Sequence, residues 1–369
     1  MSTAGAAWSR CSRSASLVSK LTHVAWFGEI GLADRGQVGG KGASLGELTR
    51  AGIVVPAGYV VQTAAFERFL AALEGEAPVR AAVAALEPHD LEAITACSRV
   101  LRRRIEDRTL PPEVLTELSA AHERLAGAAR EQPVAVRSSA TCEDAAEASF
   151  AGLQDTYLWV RGLEETVRRV RSCWASLYSV ESISYRLKHR FPEEQVAMAV
   201  VVQIMVDART AGVMFTRSPT TGDRSVVTIE GAWGVGSAVV GGEVTPDRWV
   251  LGKITGEISV REISDKQIQH VPAPTGGIEA VAVSEERRRV PCLSDDELQQ
   301  LRGVARRIER HYGRAQDIEW AVDRESGAIR LLQSRPETVW SARDAAPLAK
   351  PEQDPLMHVM SVFGKRQCR

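Results

Sequence analysis

Residues 317–335 read DIEWAV, DRESG, AIRLLQSR: two apolar runs rich in β-forming residues, separated by turn formers. Strand side chains alternate, so Asp317 and Glu319 share one face, and Gln333 and Arg335 share one face. The short connection predicts an antiparallel hairpin that gathers these four groups. Carboxylate, amide and guanidinium on one side of an apolar strand need a physical reason. Glu319 and Gln333 offer the hard oxygen donors that Mg²⁺ takes beside phosphate oxygens. Arg335 can neutralise charge on a phosphoryl group in transfer. A salt-bridge ladder on a solvated sheet face is the alternative reading of the same residues.

Upstream the texture stays β: VAMAVVVQIMV (196–206), AGVMFT (211–216) and SVVTIE (225–230), each bounded by turn residues. GAWGVGSAVVGGEVTPD (231–247) reads as a glycine-rich loop between strands. Ser294 with Glu297 is a capping box that opens a helix with Leu298, Leu301, Val304 and Ile308 inward. Earlier, Thr63 to Arg130 is helical and broken at prolines, and VAVRSSA (134–140) is a short strand entering a polar loop. The periodicity from Leu163 to Leu177 marks an amphipathic helix whose Trp174 belongs to the core. No G-x-G-x-x-G opens a βαβ unit, and the strands are largely antiparallel, so the class is α+β and not a doubly wound nucleotide fold.

The chain has 369 residues, enough for two or three domains, and its 44% apolar and 25% charged content is that of an ordinary globular protein. A net charge of -1 gives no electrostatic case for nucleic acid or an anionic membrane. No apolar run is long enough to span a bilayer. Six cysteines lie at 11, 97, 142, 173, 292 and 368 with no C-x-x-C pair, which suits a reducing, cytoplasmic setting. The expected layout is a disordered extension over 1–25, an N-terminal lobe with a helical insertion over 26–133, the main lobes over 134–340 and a tail over 341–369.

Three more stretches suggest phosphate chemistry. QVGGKGASLGEL (37–48) places Lys41 among glycines just ahead of a helix expected from Ser44, yet it lacks the spacing of a P-loop. Arg137 ends an apolar strand and enters a hydroxyl-rich loop, where a guanidinium can grip phosphate bidentately. That loop, with Gly152 and Thr156, offers backbone N–H groups and hydroxyls; ordinary turn and cap chemistry explains them equally well. Gln203 interrupts an apolar run, either to meet a purine edge or ribose or to satisfy a neighbouring strand.

In their order, these pieces resemble the N-terminal nucleotide-binding module of the phosphoenolpyruvate synthase and pyruvate phosphate dikinase family, shared by rifampicin phosphotransferases. The matching stretches are GGKGASLGEL, VPAGYVV, VAVRSSATCED, SFAGLQDTYLWV, VVVQIMVDARTAGVMFTRSP, GAWGVGSAVVGGEVTPD, DIEWAV and LLQSRPET, spanning Phe27 to Thr338. The resemblance implies an ATP-grasp-type fold whose two lobes clamp ATP and Mg²⁺. It makes Lys41 and Arg137 phosphate ligands and puts Gly152 and Thr156 in the loop over the phosphates. Gln203 falls at the adenine side, Glu319 and Gln333 at the metal, and Arg335 at the phosphate-binding arginine. Leu153 stands where the family commonly has Gln, and Ser237 where it commonly has Glu.

Family members continue into a domain whose histidine, in a Gly-Thr-x-His-Ala-like setting, carries the phosphoryl group. None of the histidines at 23, 89, 122, 189, 270, 311 and 358 has that context. The expectation is therefore an ATP-cleaving subunit of a split dikinase-type phosphotransferase, with a separate subunit supplying the phosphohistidine and the acceptor site. ETVWSARDAAP (337–347) resembles the corresponding subunit of phenylphosphate synthases, which implies phenol as the acceptor. A pyruvate- or antibiotic-phosphorylating partner, or a non-catalytic ATP-sensing role, remains open.

Overall fold

A computed structural model describes residues 23–127, 132–141 and 155–341. The expected extension lies outside the described residues as far as residue 22, as does the tail from 342. Val24 and Ala25, assigned to the extension, belong instead to a strand. Strands β1 (Val24–Trp26), β2 (Gly58–Val61), β3 (Val134–Ala140), β4 (Thr156–Val160) and β5 (Met198–Ile204) form an antiparallel sheet in the order β1-β2-β5-β3-β4. This sheet is continuous across the boundary that composition suggested after residue 133. Composition senses the switch from helix to strand there, but not the pairing of β2 and β3 with the distant β5.

Helix α1 (Arg35–Arg50) covers one face of that sheet. The other face is covered by α2 (Thr63–Glu74), α3 (Arg80–Ala84), α4 (Leu91–Asp107), α5 (Pro112–Ala126), α6 (Gly162–Ser176) and α7 (Val180–His189). Strand alternation divides the side chains cleanly. Val60, Ala199 and Val201 pack with Val38, Ala43 and Leu45 of α1, while Tyr59, Val61, Val200 and Val202 join Phe66, Phe69 and Trp174 beneath the helices. Burial on both faces explains why β5 is an apolar run and not an alternating one.

The rest of the chain supplies β6 (Ala208–Phe215), β7 (Val226–Trp233), β8 (Asp247–Gly252), β9 (Ile258–Glu262), β10 (Ile268–Pro272), β11 (Ile278–Ala282), β12 (Gln316–Asp323) and β13 (Ile329–Pro336). All but β10 and β11 form a second antiparallel sheet, ordered β13-β12-β6-β7-β8-β9; β10 and β11 pair with each other. The helices here are α8 (Ser237–Val240), α9 (Glu285–Arg288) and α10 (Asp295–Tyr312). The stretch expected to be a glycine-rich loop thus contains the end of β7 and the short α8. Ser294 caps α10 as expected: Glu297 N donates to Ser294 Oγ at 3.3 Å, and Ser294 N donates to Glu297 Oε2 at 2.8 Å. The helix buries Leu298, Leu301, Ala305 and Ile308 against Trp249 and Trp320. The result is the expected α+β architecture of two largely antiparallel sheets. Among the described residues no helix is long and apolar enough to cross a membrane.

The glycines before Lys41 have a steric cause. Helix α1 begins nine residues ahead of the expected Ser44 (35 against 44) and is kinked at Gly39, whose φ of 69° lies in the left-handed region. Gly39 also abuts β3: a Cβ there would lie 2.0 Å from Ser139 O. Ser139 Oγ donates to Val38 O at 2.8 Å and accepts from Gly42 N at 3.1 Å, stitching the kink to the sheet. Gly39→Ala should therefore destabilise the fold by on the order of 3 kcal/mol. Gly303→Ala, at an exposed position in α10 with open space around it, should be neutral or stabilising by up to about 1 kcal/mol. Urea melts of both variants test the contrast, and equal effects would refute the steric account.

Candidate nucleotide-phosphate site

The two sheets enclose a cavity of about 790 Å³, bounded by β3, β4 and β5 on one side and by β6, β12 and β13 on the other. Ile204, Val206, Ala208, Ala211, Ala321 and Leu332 give it an apolar portion. At its polar end Arg137 reaches from β3 to the opposite sheet. Its Nη2 donates to Glu319 Oε2 at 2.9 Å and to Gln333 Oε1 at 2.6 Å, and its Nη1 donates to Leu332 O at 3.2 Å. The side chains of Arg137 and Glu319 are 11% and 28% exposed, so this charge pair is well shielded. Arg137 Nε is buried without a partner among the described residues.

The antiparallel hairpin forms as expected, and its register sets Glu319 opposite Gln333 and Asp317 opposite Arg335. Arg335 Nε approaches Asp317 Oδ2 at 3.3 Å. Gln333 and Arg335 also line a smaller cavity of about 70 Å³ together with Lys41. Thr156 is exposed opposite Arg137 in the β3–β4 register and lines the larger cavity. Gln203 is buried on the same wall, its amide donating to Pro56 O at 3.4 Å, so a neighbouring carbonyl partly satisfies it. Gly152 and Leu153 lie outside the described residues.

Arg137, Glu319 and Gln333 are thus in direct contact. Lys41 and Arg335 border Gln333, and Thr156 and Gln203 line the adjoining wall. Sequence reading missed Trp159, which lines the cavity at a φ of 57° with its buried indole N–H unpartnered among the described residues. An aromatic in YLWV reads as core, and a left-handed backbone at a bulky residue has no sequence signal. It also missed His270, which reaches Ser237 from a different hairpin.

Residues 35–355 match the family described as pyruvate phosphate dikinase, AMP/ATP-binding domain. The chain belongs to this family. A probable phosphoenolpyruvate synthase from Staphylothermus marinus is 40% identical over 347 residues, covering 87% of this chain and 42% of the relative. A rifampicin phosphotransferase from a Streptomyces species is 40% identical over 311 residues, covering 84% of this chain and 35% of the relative. The chain therefore spans less than half the length of either. A solved D-alanyl-alanine synthetase A from Vibrio cholerae matches 67% of this chain and 57% of that one, at 10% identity and a TM-score of 0.24, too low to carry an argument.

A divalent cation can be tested against this AMP/ATP-binding domain's own donors. No group of three or more His, Cys, Asp or Glu able to hold a metal occurs among the described residues. Glu319 Oε2 and Gln333 Oε1 nevertheless converge on one cationic nitrogen, that of Arg137. Two hard oxygens aimed at one point fit an ion such as Mg²⁺ that is shared with phosphate, and do not fit an all-protein metal centre.

Asp317 has an electrostatic signature of its own. Burial pushes its carboxyl up from 3.8 to about 6, against the opposing pull of Arg335 and with some help from Glu337. Between about pH 4 and 6 the folded chain keeps a proton that the unfolded chain has released. Stability contributed by this group consequently falls as pH rises through that window and stays lowered above it. Asp317→Asn removes this dependence. The variant's stability relative to wild type should rise between pH 4 and pH 7 in urea melts, whereas a pH-independent difference would contradict the assignment.

Proposed function

We propose that this domain binds and cleaves ATP as part of a dikinase-type phosphotransferase and passes a phosphoryl group to a histidine carried outside the residues described above. The observation that carries the reading is the Arg137 bridge, which joins a strand of one sheet to the Glu319–Gln333 pair of the other. A guanidinium held between carboxylate and amide can exchange those partners for phosphate oxygens when a nucleotide enters, so the bridge is the natural seat of the triphosphate. Lys41, Arg137 and Arg335 hold phosphate oxygens and offset charge as the phosphoryl group departs. Glu319 and Gln333 would hold Mg²⁺ jointly with the phosphates, and the ion when bound supplies further charge neutralisation. Thr156, with Gly152, covers the phosphates, and Gln203 faces the base.

The finer reading concerns the acceptor. The resemblance of ETVWSARDAAP favours phenol, with ATP and water giving phenylphosphate, AMP and phosphate through a phosphohistidine on a separate subunit in the cytoplasm. The names of the relatives above favour a second reading, in which pyruvate or an antibiotic is the acceptor.

Incubating the chain with [β-³²P]ATP, with and without a candidate histidine-bearing partner, tests the proposal. Label on the partner supports an enzyme component; tight ATP binding with no label on any such partner points instead to a sensor. Arg335 is 56% exposed, while its partner Asp317 is only 21% exposed. Arg335→Ala should therefore still fold, with a modestly lowered melting temperature from the lost pair, while lowering transfer by roughly 100-fold or more. Wild-type transfer rates in that variant would sink the assignment.

A further inference from the structure

Away from the Arg137 cluster, the cavity wall carries a row of polar side chains that the proposed reaction does not use. Ser237 Oγ, at the start of α8, lies 2.7 Å from Nδ1 of His270 on β10. On the other side of the ring, His270 Nε2 lies 3.3 Å from Glu243 Oε2. The imidazole is buried, and Ser237 lines the cavity. Backbone contacts fix the strand that carries it. Val235 N donates to His270 O at 2.9 Å, and Gly234, with a φ of 77°, comes so close that a Cβ would lie 2.3 Å from the same oxygen. At the far end of the β10–β11 hairpin, Gly277 N donates to Trp159 O at 3.2 Å, so the hairpin reaches from one sheet to the other.

This row commits the serine's proton. An ionised Glu243 can only accept, and its negative charge 3.3 Å from Nε2 favours the tautomer that carries its hydrogen there. In the neutral ring Nδ1 is then an acceptor, and Ser237 donates its hydroxyl proton to it. What Ser237 has left for the cavity is lone pairs. It can accept from a hydroxyl or N–H of a ligand and is a poor partner for a carbonyl or phosphate oxygen.

Position narrows the donor. Gly236 packs on β6, where an added Cβ would lie 3.4 Å from Ala211 Cβ and 3.8 Å from Gly212 N. In the β6–β12 register Ala211 pairs with Ala321 and Val213 with Glu319. Ser237 therefore stands about two residues, roughly 6–7 Å, along the strand from the rung that carries Glu319. It lies between the apolar portion of the cavity and its charged end. In a nucleotide the sugar occupies that interval, and its 2′ and 3′ hydroxyls are the donors there. We propose that Ser237, oriented by His270 and Glu243, accepts a hydrogen bond from a ribose hydroxyl and so makes this site select ribonucleotides over deoxyribonucleotides. The inference rests on the nucleotide reading given above. His270 and Glu243 act as positioning residues.

Calorimetric titration of the full chain with ATP, 2′-deoxy-ATP and 3′-deoxy-ATP tests it. Wild type should bind ATP roughly three- to tenfold tighter than one of the two analogues, the effect of a single neutral hydrogen bond. Ser237→Ala should lose that preference by weakening ATP alone, with affinity for that analogue unchanged. His270→Leu should lose it too, and His270→Asn, which keeps a polar group near the Nδ1 position, should restore it. Discrimination that survives in Ser237→Ala, or is missing from wild type, overturns the Ser237 assignment while leaving ATP binding in place. Unchanged discrimination in His270→Leu overturns the positioning role. No ATP binding by wild type overturns the nucleotide reading and this inference together.

Discussion

A largely buried guanidinium must find acceptors for its N–H groups, and Arg137 on β3 finds them across the cavity, on Glu319, Gln333 and the Leu332 carbonyl of the other sheet. That pairing makes the polar end of the cavity a place where both sheets meet. It also explains why the β12–β13 register matters so much. A slip of one residue would turn Glu319 and Gln333 to the opposite face and leave the guanidinium facing apolar side chains. Alternation turns Glu319 to Arg137 and the adjacent Trp320 into the core on α10, and the ladder carries a bulge between the two.

Helix α1 is the second element that ties the sheets together. Its kink is stitched to Ser139 of β3, and a few residues on Ser44 Oγ donates to Ser334 O of β13 at 2.6 Å. Its C-terminal end meets α10, where His311 Nε2 lies 2.7 Å from Glu47 Oε1 and Arg307 donates to the Ala51 carbonyl at 2.6 Å. Lys41 thus sits on a segment anchored at both ends to different sheets.

Much of this was legible in the chain. Alternation in DIEWAV and AIRLLQSR placed Asp317, Glu319, Gln333 and Arg335 correctly in pairs, because a hairpin with a short turn leaves little choice of register. Capping chemistry located α10 to the residue, and apolar periodicity found α6 and its buried Trp174. These are local signals, written within one turn of helix or one pair of strands.

Other features depended on contacts between residues far apart in sequence. The sheet that joins β2, β5 and β3 crosses the boundary that composition suggested, because local texture carries no information about which distant strands pair. Gly39 needs to be glycine because of Ser139, about a hundred residues away (39 against 139), and α1 could begin at Arg35 only because β3 accepts its kink. Trp159 and the Ser237–His270–Glu243 row are invisible to any motif, since each becomes polar machinery only when a separate hairpin is folded over the same cavity. The sequence by itself determined the class of fold and the polar residues that stand out along its strands. Tertiary structure decided which of them touch, because contact across a cavity is set by the packing of whole sheets and not by neighbours along the chain.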